Sequence, residues 1–244
     1  MADQPSRRGR GPGTYPGAVI EYCSGQYPRM RLDHVSYAVA ADDLAQTVQR
    51  LGAQLGAAFS DGGLHPRFGT RNFVLPLEGG CYVEVVSPLD HPAVDRAPFG
   101  QAVKRRAKGG GGWLGWVVAV PDITPVEQRL GRSAVDGHRH RPDGTELRWK
   151  QIGVMDLMDD PQLPFFVQWL VGGDQHPSAW GSPVRLESIE LAGEAETISS
   201  WLGEPGDHPL DEVSVQWLDP SAVDGESGIV AVLFATPHGL VRVE

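Results

Sequence analysis

The chain has 244 residues, 41% of them hydrophobic, with 31 acidic against 21 basic side chains and a formal charge of −10. Such a length and apolar content can build one large domain or two small, closely packed ones, and the acidity excludes attraction to nucleic-acid phosphates or an anionic leaflet. Two cysteines, Cys23 and Cys81, provide neither a disulfide framework nor a zinc knuckle.

Residues 1–30 are rich in Gly, Pro, Arg and Ser and too poor in large apolar side chains to build a core, so a flexible leader is expected there. Met30, directly before the first patterned segment, is a candidate natural start. The Arg-Arg-Gly-Arg-Gly near the beginning is not followed by the apolar segment of an export signal, and no run of about 18 apolar residues occurs anywhere. A cytoplasmic protein without membrane or nucleic-acid partners is the expectation.

From Leu32 the pattern sharpens. In LDHVSYAVA, Val35, Tyr37 and Val39 alternate with His34, Ser36 and Ala38, the period of a half-buried strand. Leu44, Val48, Leu51 and Leu55 then recur at helical spacing after Asp42 and Asp43. Strands follow near 59–64, 70–77 and 81–87, giving the order βαβββ over residues 31–108 with a linker. That linker, PFGQAVKRRAKGGGG, reads as a basic helix with a glycine hinge; a phosphate-cradling loop would instead follow a strand and open a helix.

The same order recurs over 109–184: strand WLGWVVAVPDI, helix TPVEQRLG, a turn at Asp143-Gly144, strand TELRWKQIGV and strand LPFFVQWLV. Overlaying LDHVSYAV on LGWVVAVP sets Trp116 opposite His34, and overlaying CYVEVV on FFVQWL sets Gln168 opposite Glu84. A duplicated module explains both. The stretch HRHR, 138–141, reads as a solvated loop. Residues 185–244 repeat the order more weakly and form a C-terminal degenerate module. They are strongly acidic, with Arg242 the only Lys or Arg from Leu186 onward.

Strand parity sorts the side chains. With Val35, Tyr37, Phe73, Leu75, Val83 and Val85 packed on the helix, His34, Asn72, Tyr82 and Glu84 project from the other face. A carboxylate in a strand as apolar as YVEVV is either paired or functional. In the second module Trp116, Phe166 and Gln168 correspond, joined by Arg148 or Trp149. Aromatics of that size disfavour bulk water, so a cavity between the modules is expected.

The segments LDHV, HPRFGTRN, CYVEVVSP, RPDGTELRW, PFFVQW and QHPS together resemble the glyoxalase-like branch of the vicinal-oxygen-chelate superfamily, across about residues 31–180. The resemblance implies an α+β fold in which paired βαβββ modules curl into an incomplete barrel, as in glyoxalase, bleomycin-resistance and dihydroxybiphenyl-dioxygenase proteins. Superfamily enzymes take metal ligands from the first and last strand of each module, which here implies His34 and Glu84 as catalytic and metal-binding residues. The implied cofactor is a divalent metal such as Fe, Zn, Ni or Mn, polarising vicinal oxygens of a small metabolite. The second module departs from that pattern: Gln168 can ligate through its amide oxygen and Trp116 cannot, while His65 or His176 would be a third ligand. Two functions follow. One is a lyase, isomerase or dioxygenase in which Glu84 moves a proton beside a carbonyl. The other is a metal-free binding or sequestering protein, in which Trp116, Trp149 and aromatic neighbours stack on a ligand oriented by His65, Thr70, Asn72 and Arg148. A cleft used as a homodimer surface is a third reading.

Overall fold

The computed structural model describes residues 30–203, 210, 212–223 and 225–244, so the leader expected over 1–30 lies, but for Met30, outside the described residues. The first module runs β1 (Arg31–Ala38), α1 (Leu44–Leu55), β2 (Ser60–His65), β3 (Thr70–Pro76) and β4 (Tyr82–Pro88). Leu44, Leu51 and Leu55 of α1 are buried in one cluster with Val35, Tyr37, Leu75, Val83 and Val85, as the two periodicities require. After α2 (Ala93–Arg96), the basic linker forms α3 (Pro98–Lys108), with Pro98 in the first turn, where its missing N–H costs nothing.

The second module repeats the plan with β5 (Gly112–Ala119), α4 (Thr124–Leu130), β6 (Val135–His140), β7 (Glu146–Ile152) and β8 (Phe165–Trp169), and inserts α5 (Val154–Asp159) before its last strand. The HRHR stretch is therefore mostly strand and not a solvated loop. Its first three residues belong to β6, which pairs with β7 from Val135↔Gln151 to His140↔Glu146 across the Asp143-Gly144 turn.

The eight strands form one barrel in the order β1-β4-β3-β2-β6-β7-β8-β5. Its two seams differ. Along one, β1 and β5 pair antiparallel from Arg31↔Ala119 to Ala38↔Gly112; along the other, β2 meets β6 only at Leu64↔His140. Gly63 permits that approach. Its φ is +98°, and a Cβ there would lie 2.0 Å from the His140 carbonyl oxygen. Both halves come from one chain, so the ring needs no second copy to close.

The C-terminal module comprises β9 (Arg185–Ala192), α6 (Ala195–Leu202), β10 (Ser214–Leu218), β11 (Gly228–Thr236) and β12 (Gly239–Val243), in the sheet order β10-β9-β11-β12. It keeps the βαβββ succession but not the pairing, because β9 takes the strand after its helix as its parallel neighbour, whereas β1 and β5 take the last strand of their modules. Its inner face covers the outside of the barrel: Leu186, Ile189, Val232 and Phe234 lie in one cluster with Trp116, Val118 and Phe166. The Trp113 indole N–H donates to the Val243 carbonyl at 3.0 Å and its ring stacks on Phe234.

Candidate functional site

Where the two modules face each other, the barrel encloses a cavity of about 30 Å³ lined by His34, His65, Glu84 and Arg139 together with rings of Phe68, Trp149 and other aromatics. That is room for a water-sized group. Aromatic contacts make the walls: the His65 ring meets Phe68, Phe99 and Trp149 edge-on at centroid distances of 6.0–6.4 Å, and Trp149 meets Trp169 at 5.4 Å. Trp149 lies across Gly137 of the neighbouring strand, where a Cβ would fall 2.3 Å from its ring.

On the polar side, His34 stacks on Tyr82 at 4.4 Å and shares its Nδ1 with an oxygen of Asp33 at 2.7 Å. Asp33 is wholly buried; its other oxygen accepts from the Trp169 indole at 3.0 Å and meets His176 Nε2 at 3.1 Å. His176 is fixed in turn by Ser178, whose hydroxyl donates to the Gly80 carbonyl. The carboxylate thus orients the His34 ring, leaving Nε2 3.8 Å from Glu84 Oε2. Glu84 accepts from the Ser36 hydroxyl at 2.7 Å and the Asn72 amide at 2.6 Å, and the Asn72 carbonyl accepts from Arg139 Nη1 at 2.9 Å. A buried guanidinium is therefore coupled to a buried carboxylate through one amide.

Burial alone would raise the Glu84 carboxyl, but the fields of His34 and His65 and the hydrogen bonds from Ser36 and Asn72 outweigh it, so it titrates below its ordinary value. Burial drives His65 down to about 3, which keeps it neutral and leaves the hydrogen bonds and His34 to hold Glu84 ionised. Asp33 follows the same logic: burial opposes its charge, and His176 and His34 overcome that and hold it well below the carboxylate range. Burial also lowers Arg139, and it pushes the Tyr82 hydroxyl well above its usual range.

Of the residues singled out from sequence, the structure brings His34, His65, Asn72, Glu84 and Trp149 to the interior, with Thr70 holding His65 Nδ1 at 2.9 Å and His176 behind Asp33. Three others lie elsewhere. Trp116 is paired with Val35, faces outward under the C-terminal sheet, and donates its indole N–H to the Gln162 carbonyl at 2.9 Å. Gln168 also turns outward, bonding the Ile123 amide and the Pro121 carbonyl, and Arg148 is exposed. The overlays behind Trp116 and Gln168 each miss by a single residue, in opposite directions. Strand pairing sets His34↔Tyr82 and Ser36↔Glu84 against Val117↔Phe165 and Ala119↔Val167, so His34 corresponds to Val117 and Glu84 to Val167. A one-residue slip moves a side chain to the other face of the sheet.

That register bears on the metal the superfamily implies. Its four donor places hold His34, Glu84, Val117 and Val167, and two of these have no donor atom. The Arg139 cation shares the cavity and opposes a second positive charge there. Among the described residues no group of three or more His, Cys, Asp or Glu is placed to hold a metal ion. The donor set does not fit a divalent ion.

Sequence reading missed Arg139, Asp33 and Ser36. Arg139 had a signal: it alternates with Gly137 on the face that Trp149 shares across β6 and β7. Asp33 had none, since it sits at a pairing irregularity between Leu32 and His34 that breaks strict alternation.

Two βαβββ modules wrapped around a shared interior define a fold of the vicinal-oxygen-chelate type. The chain belongs to the glyoxalase-like domain family, whose profile matches residues 32–205. Among solved structures, a hypothetical protein from Staphylococcus aureus is similar over 88% of this chain and 99% of its own, with a TM-score of 0.65 and 16% identity. That coverage extends beyond the barrel, so the C-terminal module belongs to the shared fold. Methylmalonyl-CoA epimerase from Mycobacterium tuberculosis matches over 57% of this chain and 86% of its own, with a TM-score of 0.38 and 17% identity. A variant of the Streptomyces coelicolor methylmalonyl-CoA epimerase in complex with 2-nitronate-propionyl-CoA matches over 58% and 94%, with a TM-score of 0.39 and 16% identity. A comparison with curated protein sequences finds no match.

Proposed function

We propose that the chain binds the reactive end of a small oxygenated compound inside the barrel and moves a proton on it, with Glu84 as base and His34 as the group that relays the proton. The observation that carries this reading is the 3.8 Å approach of His34 Nε2 to Glu84 Oε2 inside an aromatic-walled cavity. Ionised Glu84 takes a proton from a carbon beside a carbonyl; the C–H bond breaks and its electron pair moves onto the carbonyl oxygen as an enolate. His34, oriented by Asp33, then exchanges the proton with Glu84 or delivers it to a neighbouring atom. Two groups so close serve the same face of a bound carbon, which suits an isomerase or a lyase. No step is routed through a metal, because the donor set does not fit one.

The cavity admits only a few atoms, so binding must push the aromatic walls apart, and Trp149 and Trp169 report it by fluorescence. The test is deuterium exchange at the methyl carbon of pyruvate and of pyruvamide in heavy water, followed by NMR. Exchange is expected to fall by about a hundredfold or more in Glu84→Gln, with binding retained, and to be unchanged after chelator dialysis. Exchange that survives Glu84→Gln or vanishes with chelator overturns the proton-transfer reading. Binding without exchange in the native protein leaves the sequestering function, which the ring cluster of Phe68, Phe99, Trp149 and Phe165 favours.

A further inference from the structure

We infer that Arg139 is the seat for a carboxylate, so that the compound entering the barrel is a small organic anion whose carboxylate adjoins the carbonyl that becomes the enolate. This rests on the interior ligand site proposed above and names its substrate class.

Arg139 is 2% exposed and lines the cavity with Glu84, His65 and Tyr82. Only Nη1 is engaged, by the Asn72 carbonyl; Nε and Nη2 are buried and have no hydrogen-bond partner. A guanidinium keeps its charge at any ordinary pH, and two unmet donors on one buried cation are costly to fold around. Those two N–H groups form one edge of the planar fork, the edge that grips both oxygens of a carboxylate in parallel. The surroundings keep that edge in place. Gly62 leaves the space that Arg139 and Asn72 share, since a Cβ there would lie 2.8 Å from Nη1 and 2.1 Å from the Asn72 carbonyl oxygen. Asn72 ties the guanidinium to Glu84, so an anion held by Arg139 is brought beside the base.

The approach to the cavity carries the same sign. A surface cleft of about 350 Å³ shares Phe68 and Gln151 with the cavity wall, and Arg67, Arg96 and Arg132 line it. Asp156 lines the same cleft and is paired with Arg132, so Arg67 and Arg96 leave it net positive, a local field that favours an incoming anion in a chain of net charge −10. The second module therefore offers a fixed cation in place of the missing pair of metal donors: positive charge comes from Arg139 where Val117 and Val167 supply none. An enolate formed next to a carboxylate gains from that charge, because it is already inside a water-poor site.

The experiment compares pyruvate with pyruvamide, its uncharged isostere, by calorimetric titration of the full chain and of Arg139→Met and Arg139→Lys. Pyruvate is expected to bind the native protein and to weaken by about thirtyfold or more in Arg139→Met, the loss that accompanies removal of one partner from a buried charge pair. Pyruvamide is expected to bind both forms alike. Arg139→Lys keeps the charge without the fork and should fall between them. Ligand-free Arg139→Met should unfold at the same or higher temperature, since it no longer buries unmet donors; a purely structural arginine would give a clear drop. Equal pyruvate affinity in native protein and both variants overturns the inference. Binding of pyruvamide but not pyruvate overturns it while leaving the interior site intact, and binding of neither sinks both.

Discussion

The two halves of the barrel share one topology and divide the interior between them. At the places where the first module presents His34 and Glu84, the second presents Val117 and Val167. The second module contributes instead from its middle strands, where β6 and β7 supply Arg139 and Trp149. After duplication of a unit, equivalent positions can specialise without disturbing the backbone, because the ladder of main-chain bonds is indifferent to which side chain faces inward. Here one half holds the ionised acid and its imidazole, and the other holds the apolar wall and the fixed cation.

Placing a carboxylate on the wrong half is the strongest way to break that division. Val167→Glu sets an acid at the place equivalent to Glu84 but without donors matching Ser36 and Asn72, and should cost about 3–5 kcal/mol of unfolding free energy in urea. If the loss is under about 1 kcal/mol, the two halves are not chemically distinct. A smaller effect concerns acidification. His65 in the folded chain takes up its proton only near pH 3 rather than about 6.5, so between those values the unfolded chain binds more protons and stability falls as pH falls. From pH 7 to pH 5 the decline should be about 2 kcal/mol, and His65→Gln should flatten it. Glu84, lowered from its ordinary value of 4.5, adds its own loss only below that value, so the two windows can be separated. Smallest is the support behind His34: His176→Phe removes one partner of Asp33 while Trp169 remains, and should cost about 1 kcal/mol. Its signature is a proton-exchange rate reduced with little change in ligand affinity, whereas a merely structural His176 would leave the rate of folded protein untouched.

Alternation made the first module legible. His34 and Ser36 against Val35 and Tyr37 gives strand, face and polar cluster at once, and the helix of Leu44, Leu51 and Leu55 follows from its period. The second module withheld its register because Trp116, Val117, Val118 and Phe165, Phe166, Val167 are apolar on both faces. One face lines the cavity and the other meets the C-terminal sheet, and a strand buried on both sides carries no parity signal. Trp116 is covered, as an aromatic of its size requires, yet the cover is β9 and β11 and not a ligand cavity. Arg139 was hidden for a different reason. Charged residues clustered as HRHR suggest solvent, and only the hairpin pairing of β6 with β7 reveals that Arg139 shares the inward face of Gly137 and Trp149.

The apolar cluster that runs from α1 through the outer faces of β1, β5 and β8 continues without interruption into the C-terminal sheet. Melting either part strips cover from the other, so barrel and sheet behave as a single cooperative unit, with one calorimetric transition and no stable half-molecule on the way. Trimming the chain at residue 184 would leave Trp113, Trp116 and Phe166 bare to water and yield a sticky, aggregating fragment in place of a minimal barrel.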